Sequence, residues 1–190
     1  TVDRQRYTKP LVDFALGDGP QREAALVAPS GLGKSSLLSL VSDRLEEAGA
    51  YVLKLSAGLT ANSLDFRFAV RYLYTRLAAD FQVDAVEGDY AETKQALYSL
   101  LSNVSRRQRV VILIDALNQF NTCEEVRTLD WINELFIPEN VRVLYSALPG
   151  LFDDVFLKRD VYCLNLEELD NSEITAIAGV TAKKFHKQLS

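Results

Sequence analysis

Histidine occurs once, at His186, cysteine twice, at Cys123 and Cys163, and methionine nowhere in the 190 residues. So few soft ligands leave no set spaced for zinc, and His186 has no Ser or Cys partner at a recognisable spacing for nucleophilic catalysis. The two thiols read as reduced structural residues of the cytoplasm or another reducing intracellular compartment. Long hydrophobic runs are missing too. The most apolar stretch, Val110 to Ile114, ends at Asp115, far short of the ~20 residues of a membrane span. The polar opening Thr1 to Lys9 has no apolar core of a secretory signal, so no membrane partner is expected. No repeat, low-complexity tract or Pro/Gly linker interrupts the chain. The absence of methionine, at position 1 and elsewhere, leads us to expect a segment of something longer. Strong charge of one sign is also absent: 21 Lys and Arg stand against 26 Asp and Glu, a net charge of −5. A mildly acidic domain does not wrap nucleic acid by bulk charge, so nucleic acid is not an expected partner, although a local basic patch is compatible with this balance.

What is present is the composition of one globular domain, 48% hydrophobic and 25% charged, long enough to bury about 70% of its unfolded surface. Short apolar runs alternate with stretches of helical period, the signature of an α/β fold. The runs Ala24–Val27, Tyr51–Leu55, Val110–Ile114, Val141–Tyr145 and Val161–Leu164 predict five parallel strands. The unbroken hydrophobicity of the third predicts an interior strand covered on both faces. Helices are predicted over Lys34–Ala48, Leu64–Phe81, Tyr90–Arg106, Leu129–Leu135, Leu151–Lys158 and Ser172–Leu189. Gly49 stops the first, and Asn62-Ser63 and Asp170-Asn171-Ser172 offer caps for the second and last. In the first, Leu37, Leu38, Val41 and Leu45 form the stripe that packs on the sheet.

The strongest chemical signal is Ala28-Pro29-Ser30-Gly31-Leu32-Gly33-Lys34-Ser35, a phosphate-binding loop pattern with Ala in place of the first Gly. It follows an apolar strand and opens an amphipathic helix. Backbone N–H groups and the positive end of that helix therefore converge on a concavity suited to an anion. Gly31 and Gly33 permit dihedrals closed to other residues. The expected nucleotide contacts are Pro29, Ser30, Gly31, Leu32, Gly33, Lys34, Ser35 and Ser36, with Lys34 reaching the β and γ phosphates and Ser35 on Mg²⁺. A second element is Asp115, a carboxylate at the end of the third apolar run, placed to accept from a water on the same Mg²⁺.

The residues after Asp115 carry a more specific resemblance. Leu113-Ile114-Asp115-Ala116-Leu117-Asn118-Gln119 resembles the Walker B segment of STAND NTPases, the class that contains the NACHT ATPases. The stretches Leu129 to Leu135 and Ile137 to Gly150, ending Ser146-Ala147-Leu148-Pro149-Gly150, are similar to the nephrocystin-like and WD-repeat-associated NACHT proteins. The resemblance implies a three-layer P-loop NTPase fold, a five-stranded parallel sheet of order 5-1-4-3-2 with helices on both faces. It implies a core over residues 1–165 and the start of a C-terminal helical lid over 166–190. It further implies ATP or ADP with Mg²⁺ as cofactors, an ATP/ADP switch within a larger signalling or scaffold protein, and Ser146 as the polar sensor of the γ phosphate. Other domains of the same longer chain, such as TPR or WD repeats, and assembly proteins are the implied partners.

Two departures bear on mechanism. Where such proteins often carry acids after the Walker B Asp, this chain has Asn118 and Gln119, and no Arg follows Ser146. An amide cannot take a proton from water, although Gln can orient one. The expectation is slow hydrolysis, with Lys34, Asp115 and Gln119 as the catalytic set and Glu124 or Glu125 as a substitute carboxylate. Two other functions share the same residues: a structural module that keeps the fold with static or no nucleotide, and an AAA-type DNA-handling ATPase. Phe66, Phe68, Tyr72 and Tyr74 lie in a helix-period stretch and read as core, and Trp131 as an anchor on the sheet. Arg106, Arg107 and Arg109, like Lys183, Lys184, His186 and Lys187, read as cations at a helix's negative end. Tyr7, Thr8 and Pro10 are candidate neighbours of a purine.

Overall fold

Residue alternation along the strands explains how the sheet is covered, as seen in a computed structural model that describes residues 4–58, 64–85, 87–121, 123–133 and 136–168. The strands are β1 (Glu23–Val27), β2 (Tyr51–Ser56), β3 (Val110–Asp115), β4 (Val141–Ala147) and β5 (Tyr162–Asn165). They form one parallel sheet in the order β2-β3-β4-β1-β5, the 5-1-4-3-2 arrangement expected. Successive side chains point to opposite faces. Ala25 and Val27, Val110, Ile112 and Ile114, and Val141, Val143 and Tyr145 fall in one core. Ala24 and Leu26, Val111 and Leu113, and Leu144 fall in the other. The interior position of β3, between β2 and β4, matches its continuous apolar run.

The helices are α1 (Gln5–Leu16), α2 (Lys34–Glu47), α3 (Phe66–Asp80), α4 (Tyr90–Ser105), α5 (Glu124–Arg127) and α6 (Asp153–Lys158). α1 and α2 supply the smaller core, with Leu37, Leu38, Val41 and Leu45 buried against the sheet. α3 and α4 supply the larger one. Gly49, at φ +86°, turns the chain after α2 and donates its N–H to the Glu46 carbonyl at 3.0 Å, as a left-handed helix end requires. α4 opens on a reciprocal cap: the Asp89 carboxylate accepts from Glu92 N at 2.9 Å, and the Glu92 carboxylate from Asp89 N at 3.0 Å.

Several sequence expectations are corrected. α1 was not predicted. It forms despite the internal Pro10 because Tyr7, Leu11 and Ala15, one turn apart, bury one stripe. The helix predicted over Leu129–Leu135 is absent from its described part. Leu129 takes φ +57°, which a helix cannot contain, and the short α5 lies before it. Arg159 stitches this irregular segment down, donating to the Leu129 carbonyl at 3.0 Å and the Ile132 carbonyl at 2.7 Å. α3 is capped by Asp65, whose side chain accepts from Arg67 N; Asn62-Ser63 lie outside the described residues, as does the predicted helix Ser172–Leu189 with its caps. Of the aromatics read as core, Phe66 and Tyr74 are buried, whereas Phe68 and Tyr72 are exposed and stack on one another at 6.3 Å. Trp131 is buried edge-on against Phe120. Arg109 donates to the Leu16 carbonyl at the end of α1, rather than to the helix it follows.

Candidate functional site

The turn from β1 to α2 builds the candidate site. β1 lies inside the sheet, and the loop after it leaves the sheet's carboxyl edge with Ala28 N donating to the Ala147 carbonyl at 3.2 Å. Gly31 and Gly33 have φ +86° and +87°, and a Cβ on either would meet nothing within 4 Å. Backbone conformation, not space, therefore requires glycine there. Pro29, Ser30, Gly31, Gly33, Ser35 and Ser36 are exposed, while Leu32 packs its side chain into the smaller core. α2 starts at Lys34, and its first-turn N–H groups and positive end face the same loop.

Lys34 folds back on that loop. Its ammonium donates to the carbonyls of Ala28 at 2.6 Å and Pro29 at 2.9 Å. Partial burial lowers its pKa, and the nearby Asp115 charge opposes the shift. Ser35 and Asp115 line one cleft of about 180 Å³, shared with Ser39, Lys54 and Ser56. The hydroxyl and carboxylate expected to act together are therefore brought together. Hard divalent cations prefer oxygen donors of this kind. Among the described residues, no cluster of three or more His, Cys, Asp or Glu side chains could hold a metal by itself.

Ser146 is fully buried near the end of β4, opposite Leu26 of β1. Its hydroxyl donates to the Asp115 carboxylate and accepts from Ala116 N at 2.8 Å. Ala116 has φ +59°, so this contact holds a left-handed corner just after the carboxylate. Ser146, which the resemblance places as a γ-phosphate sensor, is thus in hydrogen-bond contact with Asp115.

Gln119 lies four residues beyond Asp115. It ends a short 3₁₀ turn, Leu117–Gln119, and rests against Gly58, where an added Cβ would come within 3.1 Å of Gln119 Cβ. Gly58 follows β2, whose Lys54 and Ser56 line the Ser35–Asp115 cleft, and Gln119 is exposed. Glu124 and Glu125 are exposed on α5. The Glu125 carboxyl is held below its usual range by its own backbone N–H and the Cys123 side chain. Tyr7 and Thr8 are buried. The Tyr7 hydroxyl accepts from Glu167 N at 3.0 Å, and the guanidinium carbons of Arg4 and Arg6 each lie 4.8 Å from its ring centroid. Tyr7 thus joins α1 to the chain beyond β5, a role with no local sequence signal, and the Thr8 hydroxyl donates to the Arg4 carbonyl at 3.0 Å.

Comparison with solved structures decides the fold. Cdc6p from Pyrobaculum aerophilum superposes with a TM-score of 0.69 at 12% identity, over 97% of this chain and 50% of that one. Drosophila ORC bound to DNA gives 0.66 at 18% identity over 98% and 48%. AMPPCP-bound DnaA from Aquifex aeolicus gives 0.60 at 18% identity over 98% and 54%. This is a P-loop NTPase fold. At these identities the likeness concerns the fold alone. No family model matches the chain. NACHT and WD repeat domain-containing protein 2 of Mus musculus is 29% identical over 95 residues, 49% of this chain and 5% of that protein. The chain thus spans about half of each solved chain and a small part of the curated relative. Among the described residues, no helix of this P-loop fold is long and apolar enough to cross a membrane.

Proposed function

We propose that this chain is an Mg-ATP-binding switch domain of a larger STAND/NACHT-type signalling or scaffold protein, with hydrolysis that is slow or dependent on a partner. The observation that carries the reading is the cleft shared by Ser35 and Asp115, with Ser35 directly after Lys34 and the glycine-containing loop, and with the Asp115 charge acting on Lys34. Loop N–H groups and the Lys34 ammonium would bind the phosphates once the lysine leaves its two carbonyl acceptors. Ser35 and Asp115 would hold Mg²⁺, which neutralises phosphate charge when bound. Asp115 is oriented for that task by the Ser146 hydroxyl.

The NACHT similarity to the mouse protein supports the branch, and the AMPPCP-bound DnaA and the ADPNP-ADP complexes of Aeropyrum pernix ORC2 support adenine nucleotide as ligand. The 166–190 segment is proposed as the start of the moving lid. Its described beginning adjoins the loop strand, since Leu166 N donates to the Val27 carbonyl at 2.9 Å. A nucleotide-dependent change there requires different affinities of ATP and ADP for two arrangements.

A DNA-handling ATPase is the second reading, favoured by the likeness to Drosophila ORC bound to DNA and to Aeropyrum pernix ORC1 in complex with DNA. Salt-sensitive DNA binding by this chain would support it over the switch. The switch reading is tested by single turnover, with excess protein and trace labelled Mg-ATP followed over hours. Bound label that converts slowly to ADP is expected, and none should be retained by Lys34→Ala. Turnover of about 1 per second or faster without a partner, in the range of kinases, would overturn it.

A further inference from the structure

At the opposite edge of the sheet, arginines collect where the strands begin. Arg22 precedes β1, Arg109 precedes β3, Arg142 is the second residue of β4, and Arg106 follows α4. Arg142 is buried, on the face that is otherwise filled by Leu144 and its apolar neighbours. Its Nη1 donates to the carbonyls of Glu139 and Val141, at 2.7 and 3.1 Å, and its Nη2 to those of Gly17 and Gly19, at 2.8 and 3.1 Å. Its Nε is buried without a hydrogen-bond partner. No carboxylate pairs with it among the described residues, whereas a buried charge ordinarily requires one.

Arg22, Arg106 and Arg142 line a single open cleft of about 420 Å³, together with Ser102 and two acids, Asp18 and Glu139. Asp18 is already engaged outward by Arg109 at 2.6 Å. Four guanidinium groups thus meet two carboxylates, in a chain whose net charge is −5. Burial, with the charges of Arg109 and Arg22, pushes the Arg142 pKa down to about 10. Asp18 and Glu139 oppose that shift without cancelling it.

We propose that this cleft is a second phosphoryl-binding site, with Arg22 and Arg106 as the clamp and Arg142 as the buried fixed charge. Arg22 and Arg106, from two separate elements, present donors from two directions, and Arg142, whose Nη groups are taken by four carbonyls, adds its charge beneath them. That suits a tetrahedral, doubly charged phosphoryl group better than a carboxylate, whose two coplanar oxygens satisfy one fork. The volume lies within the range of small-molecule sites. β4, at seven residues, separates this edge from the loop edge by on the order of 20 Å. The site is therefore distinct from the nucleotide site and does not depend on that reading.

The test is calorimetric titration with inorganic pyrophosphate, in the unmodified chain, in Lys34→Ala, and in Lys34→Ala carrying Arg22→Ala and Arg106→Ala. These two arginines are not buried, and circular dichroism verifies that the variants fold. Lys34→Ala should still bind pyrophosphate, and adding the arginine substitutions should weaken binding at least about tenfold. A phosphoserine peptide binding more tightly than pyrophosphate would identify a phosphoprotein as the source, and the reverse order a free phosphoryl compound; either sustains the phosphoryl assignment. The proposal is overturned by no binding in Lys34→Ala, by equal affinity with and without the two arginines, or by succinate binding as tightly as pyrophosphate.

Discussion

Replacing Ser146 by alanine probes the link between the sheet and the candidate metal site. The hydroxyl is fully buried and makes two contacts, one to a carboxylate and one from the Ala116 amide. A hydrogen bond to a charged group contributes about 1.5–3 kcal/mol, and a buried amide left without a partner costs about 1–3 kcal/mol. Asp115 and Ala116 are only half-buried, so water recovers part of both, and the expected loss is about 2 kcal/mol. With a urea slope of about 2 kcal/mol per molar for a domain of this size, the midpoint should fall by about 1 M. The left-handed turn at Ala116, a conformation costing about 1–2 kcal/mol for a residue with a Cβ, would then lose its tether. Mg-ATP affinity should fall with it, by about tenfold, because Asp115 is no longer fixed. Ser146→Thr, which retains the hydroxyl, should restore the affinity. A midpoint within 0.2 M of the unmodified protein, a difference of about 0.4 kcal/mol on the same slope, would refute the positioning role.

Three further outcomes are expected. Lys34→Met should abolish nucleotide binding without lowering the urea midpoint, since partial burial already disfavours the charged lysine; a lower midpoint would mean that its carbonyl bonds hold the fold. Glu23→Ala should destabilise by about 3–5 kcal/mol in urea denaturation, because Glu23 is the bidentate partner of the Arg159 guanidinium, at 2.8 and 2.9 Å, on a side chain only 7% exposed. A loss under about 1 kcal/mol would show that the pair is dispensable. Gln119→Ala should leave Mg-ATP affinity within about twofold, a change of about 0.4 kcal/mol, because the Gln119 side chain packs on Gly58; a larger change in a binding titration would place it at the nucleotide.

The sheet was legible in the sequence because each strand is a compact apolar run, and the loop because its glycines and lysine sit at fixed spacing between strand and helix. Strand order was legible only through resemblance, since nothing in the runs themselves says that β4 lies between β3 and β1. α1 was hidden by Pro10 and by a stripe only one residue wide, whose partner surface on α2 and the sheet exists only after folding. The segment from Leu129 has the apolar content of a helix but is held irregular by Arg159, a contact of long sequence separation. The same holds for Ser146 and Arg142. One reads as a phosphate sensor by resemblance and the other as an ordinary strand residue; the neighbouring strands and links bring up Asp115, Gly17 and Gly19.

The central claim is that Lys34, Ser35 and Asp115 form one working Mg-nucleotide site. Equilibrium titration of the chain with ATP, with Mg²⁺ and with a chelator, tests it most directly when repeated on Lys34→Ala and Asp115→Asn. The account predicts saturable binding that weakens about tenfold or more on removing Mg²⁺. It predicts that Asp115→Asn loses this Mg²⁺ dependence and that Lys34→Ala does not bind. Binding of equal strength in all three proteins, indifferent to Mg²⁺, would contradict it.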